Sequence, residues 1–290
     1  SNSYKLGVSP LDLSSIVEII NEDKNICLDN SLKDKIISCR KFLNKSINSN
    51  DNLIYGINTG FGSLYNKKIS SADLSKLQEN LVLSHACGTG DEVPTDVVKI
   101  MMLLKIQSLS FGFSGVQLVT IERLIEMFND NIFPVVYQQG SLGASGDLAP
   151  LAHMSLPLIG YGDVRVLRKN SDGQNKHIKI KSSKIIKDKN WDIISLQPKE
   201  GLALLNGTQF MSAYAVWSLI ISKKLAYFSD LIGSISLEAF DGRNECFDEL
   251  IHMIRPHKGQ LKSAKNIRNF LRNSEIQRLN KKHVQDPYSF

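Results

Sequence analysis

Apolar residues recur at helical spacing through most of this chain. Leu32, Ile36, Cys39, Leu43 and Ile47 fall three or four positions apart, as residues on one helix face do. That spacing predicts an amphipathic helix over Asn30–Ile47, with another before it over Pro10–Asn21. Leu74, Leu77 and Leu81 predict a third, capped by Ser71 or Asp73 and running to about His85. Pro94–Ser110 and Ser114–Asn129 predict two more. The second turns Leu118, Ile121, Leu124, Ile125 and Phe128 inward and Glu122, Arg123 and Glu126 toward water. The period then changes. Asp163–Arg168 alternates, and His177–Ile180 answers it across Ser171-Asp172-Gly173, predicting a small, polar, peripheral hairpin. Glu200 opens a long apolar helix toward Phe240. The fold class expected is mainly α.

Three stretches break the pattern. Tyr55-Gly56-Ile57-Asn58-Thr59-Gly60-Phe61-Gly62 holds three glycines in eight residues and predicts a turned loop. Asn206-Gly207 interrupts the helix opened by Glu200, where glycine costs about 1 kcal/mol against alanine. A local rule broken inside an apolar run points to a site or to a kink where helices touch. The third stretch, Gln138–His153, begins with small residues and ends as an apolar helix start, with Asp147 and Pro150 in its first turn.

Composition narrows the function classes. With 290 residues the chain holds one large or two ordinary domains. Its 42% hydrophobic and 22% charged residues describe an ordinary globular protein. The net charge of +6 is spread, with moderate clusters at Lys176–Lys189 and Lys258–Arg272 and no basic run interleaved with aromatics, which argues for a solvated surface and against a nucleic-acid groove. Cys27, Cys39, Cys87 and Cys246 form no CxxC and no ligand spacing with histidine. We therefore expect no metal, buried thiols and a reducing, cytoplasmic setting. The longest apolar span, Ala213–Ser222, runs into Lys223-Lys224 and is too short for a membrane.

Ala144-Ser145-Gly146 can carry chemistry of its own. Gly146 lacks a Cβ, so its nitrogen can approach a carbonyl closely. Attack on the Ala144 carbonyl closes a five-membered ring. Loss of two waters, one taking the Ser145 hydroxyl, leaves an exocyclic methylene. The product is an electrophile made from the chain, placed at a helix N-terminus that favours developing negative charge. A glycine-rich turn before a buried helix fits the composition as well.

Gly143-Ala144-Ser145-Gly146-Asp147-Leu148-Ala149-Pro150-Leu151-Ala152 resembles the signature of the aromatic amino acid ammonia-lyases and aminomutases. The resemblance implies that Ala144, Ser145 and Gly146 form methylidene-imidazolone (MIO) autocatalytically, with Asp147 beside it. It also implies an L-aspartase/fumarase-like helical fold. Tyr55-Gly56-Ile57-Asn58-Thr59-Gly60-Phe61-Gly62 is similar to the family's tyrosine loop, which implies that Tyr55 removes the substrate's β-proton and that Gly62 binds substrate. An ordinary phenol titrates far above neutral pH, so such a base needs its anion stabilised. Ser84-His85 resembles the histidine lyases of the family, and His85 would pair with an imidazole nitrogen. Asn206 lies in a segment similar to the family's Asn-Gly-Thr and would hydrogen-bond the MIO region. Gln285-Asp286-Pro287-Tyr288-Ser289 is similar to a segment lining the pocket, so Gln285 and Tyr288 join the expected site, Tyr288 as a second proton-handling group.

The resemblance therefore implies conversion of L-histidine to urocanate and ammonia, with no metal, nucleotide, nucleic acid or membrane partner. A phenylalanine or tyrosine lyase, an aminomutase and a non-catalytic helical assembly module are the alternatives. An N-terminal domain over 1–198 and an incomplete helical bundle over 199–290 are expected. The family's carboxylate-binding arginine and a later glutamate would follow Phe290, so the resemblance implies the N-terminal portion of a longer, homotetrameric protein.

Overall fold

A computed structural model describes residues 3–8, 11–49, 53–60, 67, 69–70, 73–144, 146–169 and 175–288. The chain divides into two compact units, Ser1–Trp217 and Ser218–Phe290. The first unit opens with β1 (Ser3–Leu6), α1 (Leu13–Asn21), β2 (Asn25–Leu28) and α2 (Asn30–Ser49). It continues through α3 (Leu74–His85), β3 (Thr89–Glu92), α4 (Thr95–Ser110), α5 (Leu118–Asn129), β4 (Ile132–Pro134) and β5 (Tyr137–Gln139). It closes with α6 (Leu148–Ser155), β6 (Asp163–Lys169), β7 (Asn175–Lys181), α7 (Ser182–Asp188), α8 (Glu200–Leu205) and the first part of α9 (Gln209–Ala239). The class is mainly α, as expected.

The core of the first unit is built on α4. Val97, Met101, Met102, Leu103 and Ile106 have no solvent exposure. A helix buried on every side needs no polar face, and each such side chain contributes about 1.5–3 kcal/mol by burial. By contrast α2 buries a stripe, Leu32, Ile36, Arg40 and Leu43. Asp12 caps α1 by accepting from the Ser15 N–H at 2.8 Å.

Several elements differ from their sequence expectation, each for a visible reason. α5 starts at Leu118, four residues after Ser114. Glu200 holds the preceding segment extended. Its fully buried carboxylate accepts from the Gln117 N–H, the Gln117 amide, the Thr120 hydroxyl and the Gln197 N–H, all within 2.8 Å. Arg123 does not face water. It is buried, lies over the Trp191 ring at 4.4 Å and donates to the Asp192 carbonyl. The expected hairpin, β6 with β7, gains a third antiparallel strand in β4. Val164 and Val166 are buried in that sheet. The helix opened by Glu200 stops at Leu205 and restarts at Gln209, so Asn206-Gly207-Thr208 is a break between α8 and α9. Of the cysteines, Cys87 and Cys246 are exposed.

The second unit holds the remainder of α9, then α10 (Glu249–Met253) and α11 (Lys258–Leu271). Asp248 caps α10 through the Leu250 N–H, and Asn266 ties α11 to Asp230 of α9 at 2.8 Å.

Candidate active site

The loop from Gly140 to Asp147 connects β5 to α6 and lies against the break between α8 and α9. Gly146 is buried with φ +149°. A Cβ there would stand 2.6 Å from Asn206 Oδ1, 2.8 Å from the Gly207 nitrogen and 3.0 Å from the Gly207 oxygen. Only glycine fits such a contact. The next residue locks it: the Asp147 N–H donates to the Gly207 carbonyl at 2.8 Å. The Asp147 side chain has no exposure and does not cap its own helix. One carboxylate oxygen accepts from the Ser141 hydroxyl at 3.0 Å, the other from the Met211 N–H in the first turn of α9 at 2.9 Å. It thereby satisfies an orphan donor of the neighbouring helix.

A cleft of about 170 Å³ opens on this loop, lined by His85, Cys87, Gly140, Leu142, Ala144, Gly146, Leu148 and Ala149. The α3 end and the loop are drawn together by β3, which pairs antiparallel with β5. Glycines allow the approach: a Cβ on Gly140 would meet Gly88 Cα at 3.0 Å. His153 of α6 completes the junction. Its Nε2 accepts the Gly88 N–H at 2.9 Å, its ring meets Tyr137 edge-on, and burial lowers its pKa. The ring is held neutral with the proton on Nδ1.

His85 is the last residue of α3. Its Nδ1 donates to the Leu81 carbonyl at 2.9 Å, with Ser84 Oγ at 3.1 Å. With Nδ1 engaged by a carbonyl, Nε2 is the ring nitrogen left for a further partner. Asn206 follows α8, with its side chain exposed and Oδ1 beside Gly146. Its backbone carbonyl accepts from Lys105 Nζ at 3.0 Å. Lys105 is 2% exposed, and burial lowers its pKa to about 7. Helical periodicity does not single out this lysine; the one signal for it in the sequence is a single cation inside Met-Met-Leu-Leu-Lys-Ile-Gln-Ser-Leu.

The structure thus gathers His85, Ala144, Gly146, Asp147 and Asn206. Ser145 and Gly62 lie outside the described residues. Tyr55 sits in a turn, 54% exposed, and is not among the described residues lining the cleft. The loop after it is tied by Ile69 N–H donating to the Asn58 carbonyl. Gln285 and Tyr288 belong to the second unit, where they line a groove with Arg243, Glu245, Cys246 and Asp286. Tyr288 is 95% exposed. Among the described residues no group of three or more His, Cys, Asp or Glu could hold a metal. Nor, among the described residues, is any helix long and apolar enough to cross a membrane.

The mainly helical chain has the helical fold of the ammonia-lyases and aminomutases. Solved structures bear this out. The histidine ammonia-lyase of Trypanosoma cruzi superposes with a TM-score of 0.80 at 30% identity, over 92% of this chain and 50% of that one. Ergothionase from Treponema denticola does so with a TM-score of 0.87 at 25% identity, over 99% and 56%. By sequence the chain belongs to the aromatic amino acid lyase family, matched over residues 11–290. It is 42% identical to histidine ammonia-lyase 2 of Fusobacterium nucleatum, over 97% of this chain and 53% of the relative. It is 43% identical to the histidine ammonia-lyase of Legionella pneumophila strain Corby, over 100% and 56%. The chain spans about half the length of the curated relatives it matches.

Proposed function

We propose that this protein eliminates ammonia from L-histidine to give trans-urocanate. The observation that carries the reading is the cleft in which His85, with Nε2 left for a further partner, lies beside Ala144 and Gly146. Identity of 40–43% to several histidine ammonia-lyases supports it.

An MIO group formed from Ala144, Ser145 and Gly146 belongs to the same proposal. The residues fit it. Gly146 occupies a cradle that a Cβ would fill, and Ala144 presents only a methyl to the cleft. Asp147 ties the loop to Gly207 and Met211, and Asn206 Oδ1 lies against Gly146. The group supplies an electrophile for the substrate amine, so that ammonia departs more readily.

The chain's own residues do the rest. His85 Nε2 accepts the substrate's imidazole N–H and sets its orientation. Tyr55 takes the β-proton; the C–H electron pair becomes the new C=C as the C–N bond breaks. With its amide turned over, so that the NH2 stands where Oδ1 now lies beside Gly146, Asn206 donates to negative charge developing there. Substrate-binding roles for Gln285, Tyr288 and Gly62 are part of the proposal and rest on the likeness of their segments to those of the family. Assembly as a homotetramer is proposed with this reading, supported by the exposed Leu219, Leu225, Ile232 and Ile235 of α9. A cytoplasmic setting is supported by four free cysteines.

The test is urocanate formation by the full-length protein. Wild type is expected to convert histidine, and His85→Leu to lose at least about tenfold in kcat/KM for histidine, because the substrate nitrogen loses its partner. Absence of urocanate, or an unchanged preference in His85→Leu, contradicts the assignment.

A further inference from the structure

Lys105 is a buried cation that the mechanism above does not use. It lies in the part of α4 where Met101, Met102, Leu103 and Ile106 have no exposure. Burying an amine there is costly, and the lowered pKa reflects that cost. Among the described residues its Nζ has one hydrogen bond, 3.0 Å to the Asn206 carbonyl. That carbonyl belongs to the peptide whose nitrogen, on Gly207, faces Gly146, and the Gly207 carbonyl accepts the Asp147 N–H. The lysine therefore sits directly behind the strip that braces the Ala144–Gly146 loop.

We propose that Lys105 is a positioning residue, which pins the Asn206–Gly207 strip against Gly146 and Asp147 and so keeps Gly146 in place for its nitrogen to close on the Ala144 carbonyl. The proposal rests on the reading of Ala144-Ser145-Gly146 as an MIO precursor. The amine donates to the carbonyl whether or not it carries a proton, so the role is one of geometry. A group held this way acts through Asn206 and Gly207 and touches no reacting atom.

A positioning lysine and a merely structural one make opposite predictions. Lys105→Met keeps an unbranched side chain of similar length, removes the donor and relieves the desolvated amine. Its melting temperature is expected to stay close to that of wild type, since relief of the desolvated amine offsets the loss of the hydrogen bond to the Asn206 carbonyl. Ring closure, read as two waters lost from the peptide spanning Ala144–Gly146, is expected to slow by roughly tenfold or more. Amide exchange at Asp147 is expected to quicken by about tenfold for the one lost hydrogen bond, with β6 and β7 unchanged. Lys105→Arg keeps a donor and is expected to restore closure in part.

Closure at the wild-type rate in a folded Lys105→Met overturns the proposal. So does a Lys105→Met protein that fails to fold, which assigns the residue to the core. Should wild type itself lose no water, the MIO reading fails separately. Exchange at Asp147 then decides the lysine's role alone: quickened exchange supports it and unchanged exchange overturns it.

Discussion

At Gly146 an added methyl group would lie 2.6 Å from the Asn206 Oδ1 and 2.8 Å from the Gly207 nitrogen, on a backbone with φ +149°. Gly146→Ala is expected to lower stability by about 1–3 kcal/mol from backbone strain alone, read as a drop in denaturant midpoint at unchanged slope. An unaltered midpoint would mean that the loop can withdraw from Asn206 at no cost. His153 gives a pH prediction. Burial holds its pKa below the ordinary value of 6.5 while Nε2 accepts the Gly88 N–H. Above pH 6.5 the ring is neutral in both folded and unfolded states. Below it the unfolded chain takes up the proton first, so stability falls until the folded ring also protonates. His153→Gln, which keeps an acceptor but cannot titrate, is expected to flatten that acid limb in urea titrations run across the pH 5–7 window around an ordinary imidazole pKa; an unchanged limb would assign the loss to other groups. At this scale the sequence disclosed identities and little of their partners. Gly146 was legible as the position needing close approach, but nothing in its neighbours named Asn206 Oδ1 as the atom approached. Lys105 was hidden because a lysine in an apolar helix reads equally as a surface residue of that helix.

The elements around the site depend on groups donated from one to another. α9 begins under the Asp147 carboxylate, which accepts from the Met211 N–H while the other oxygen takes the Ser141 hydroxyl. Asp147→Asn turns an amide NH2 toward one of these two donors. It is expected to cost about 1–3 kcal/mol for the unsatisfied group, measured as a lower melting temperature with faster exchange at Met211. No change at Met211 would show that the α9 start is held by something other than Asp147. Helix periods were legible wherever one face alone is buried, as in α2 with Leu32, Ile36 and Leu43. They misled where a distant carboxylate sets a boundary. Glu200 holds Gln117 extended and moves the start of α5 to Leu118. Arg123 carries the same lesson, since a charge at an outward helix position is buried by Trp191, far away in sequence. Asn206-Gly207 was legible as a violation of helix rules, and the structure resolves it as a break that receives the loop.

On the scale of the whole chain the two units carry different parts of the expected site. His85, Ala144, Gly146, Asp147 and Asn206 belong to the first unit, and Gln285 and Tyr288 to the second. The family was legible from contiguous stretches, Gly143–Ala152 above all, because they match residue by residue and depend on no tertiary arrangement. The proposed chemistry depends on Ala144-Ser145-Gly146 closing on itself. Its most direct measurement is the mass of the proteolytic peptide spanning those residues in protein purified without reductant or added amine. Closure predicts a mass lower by two waters than the sequence requires. A mass equal to that of the open peptide, in full-length protein that forms urocanate, would contradict it.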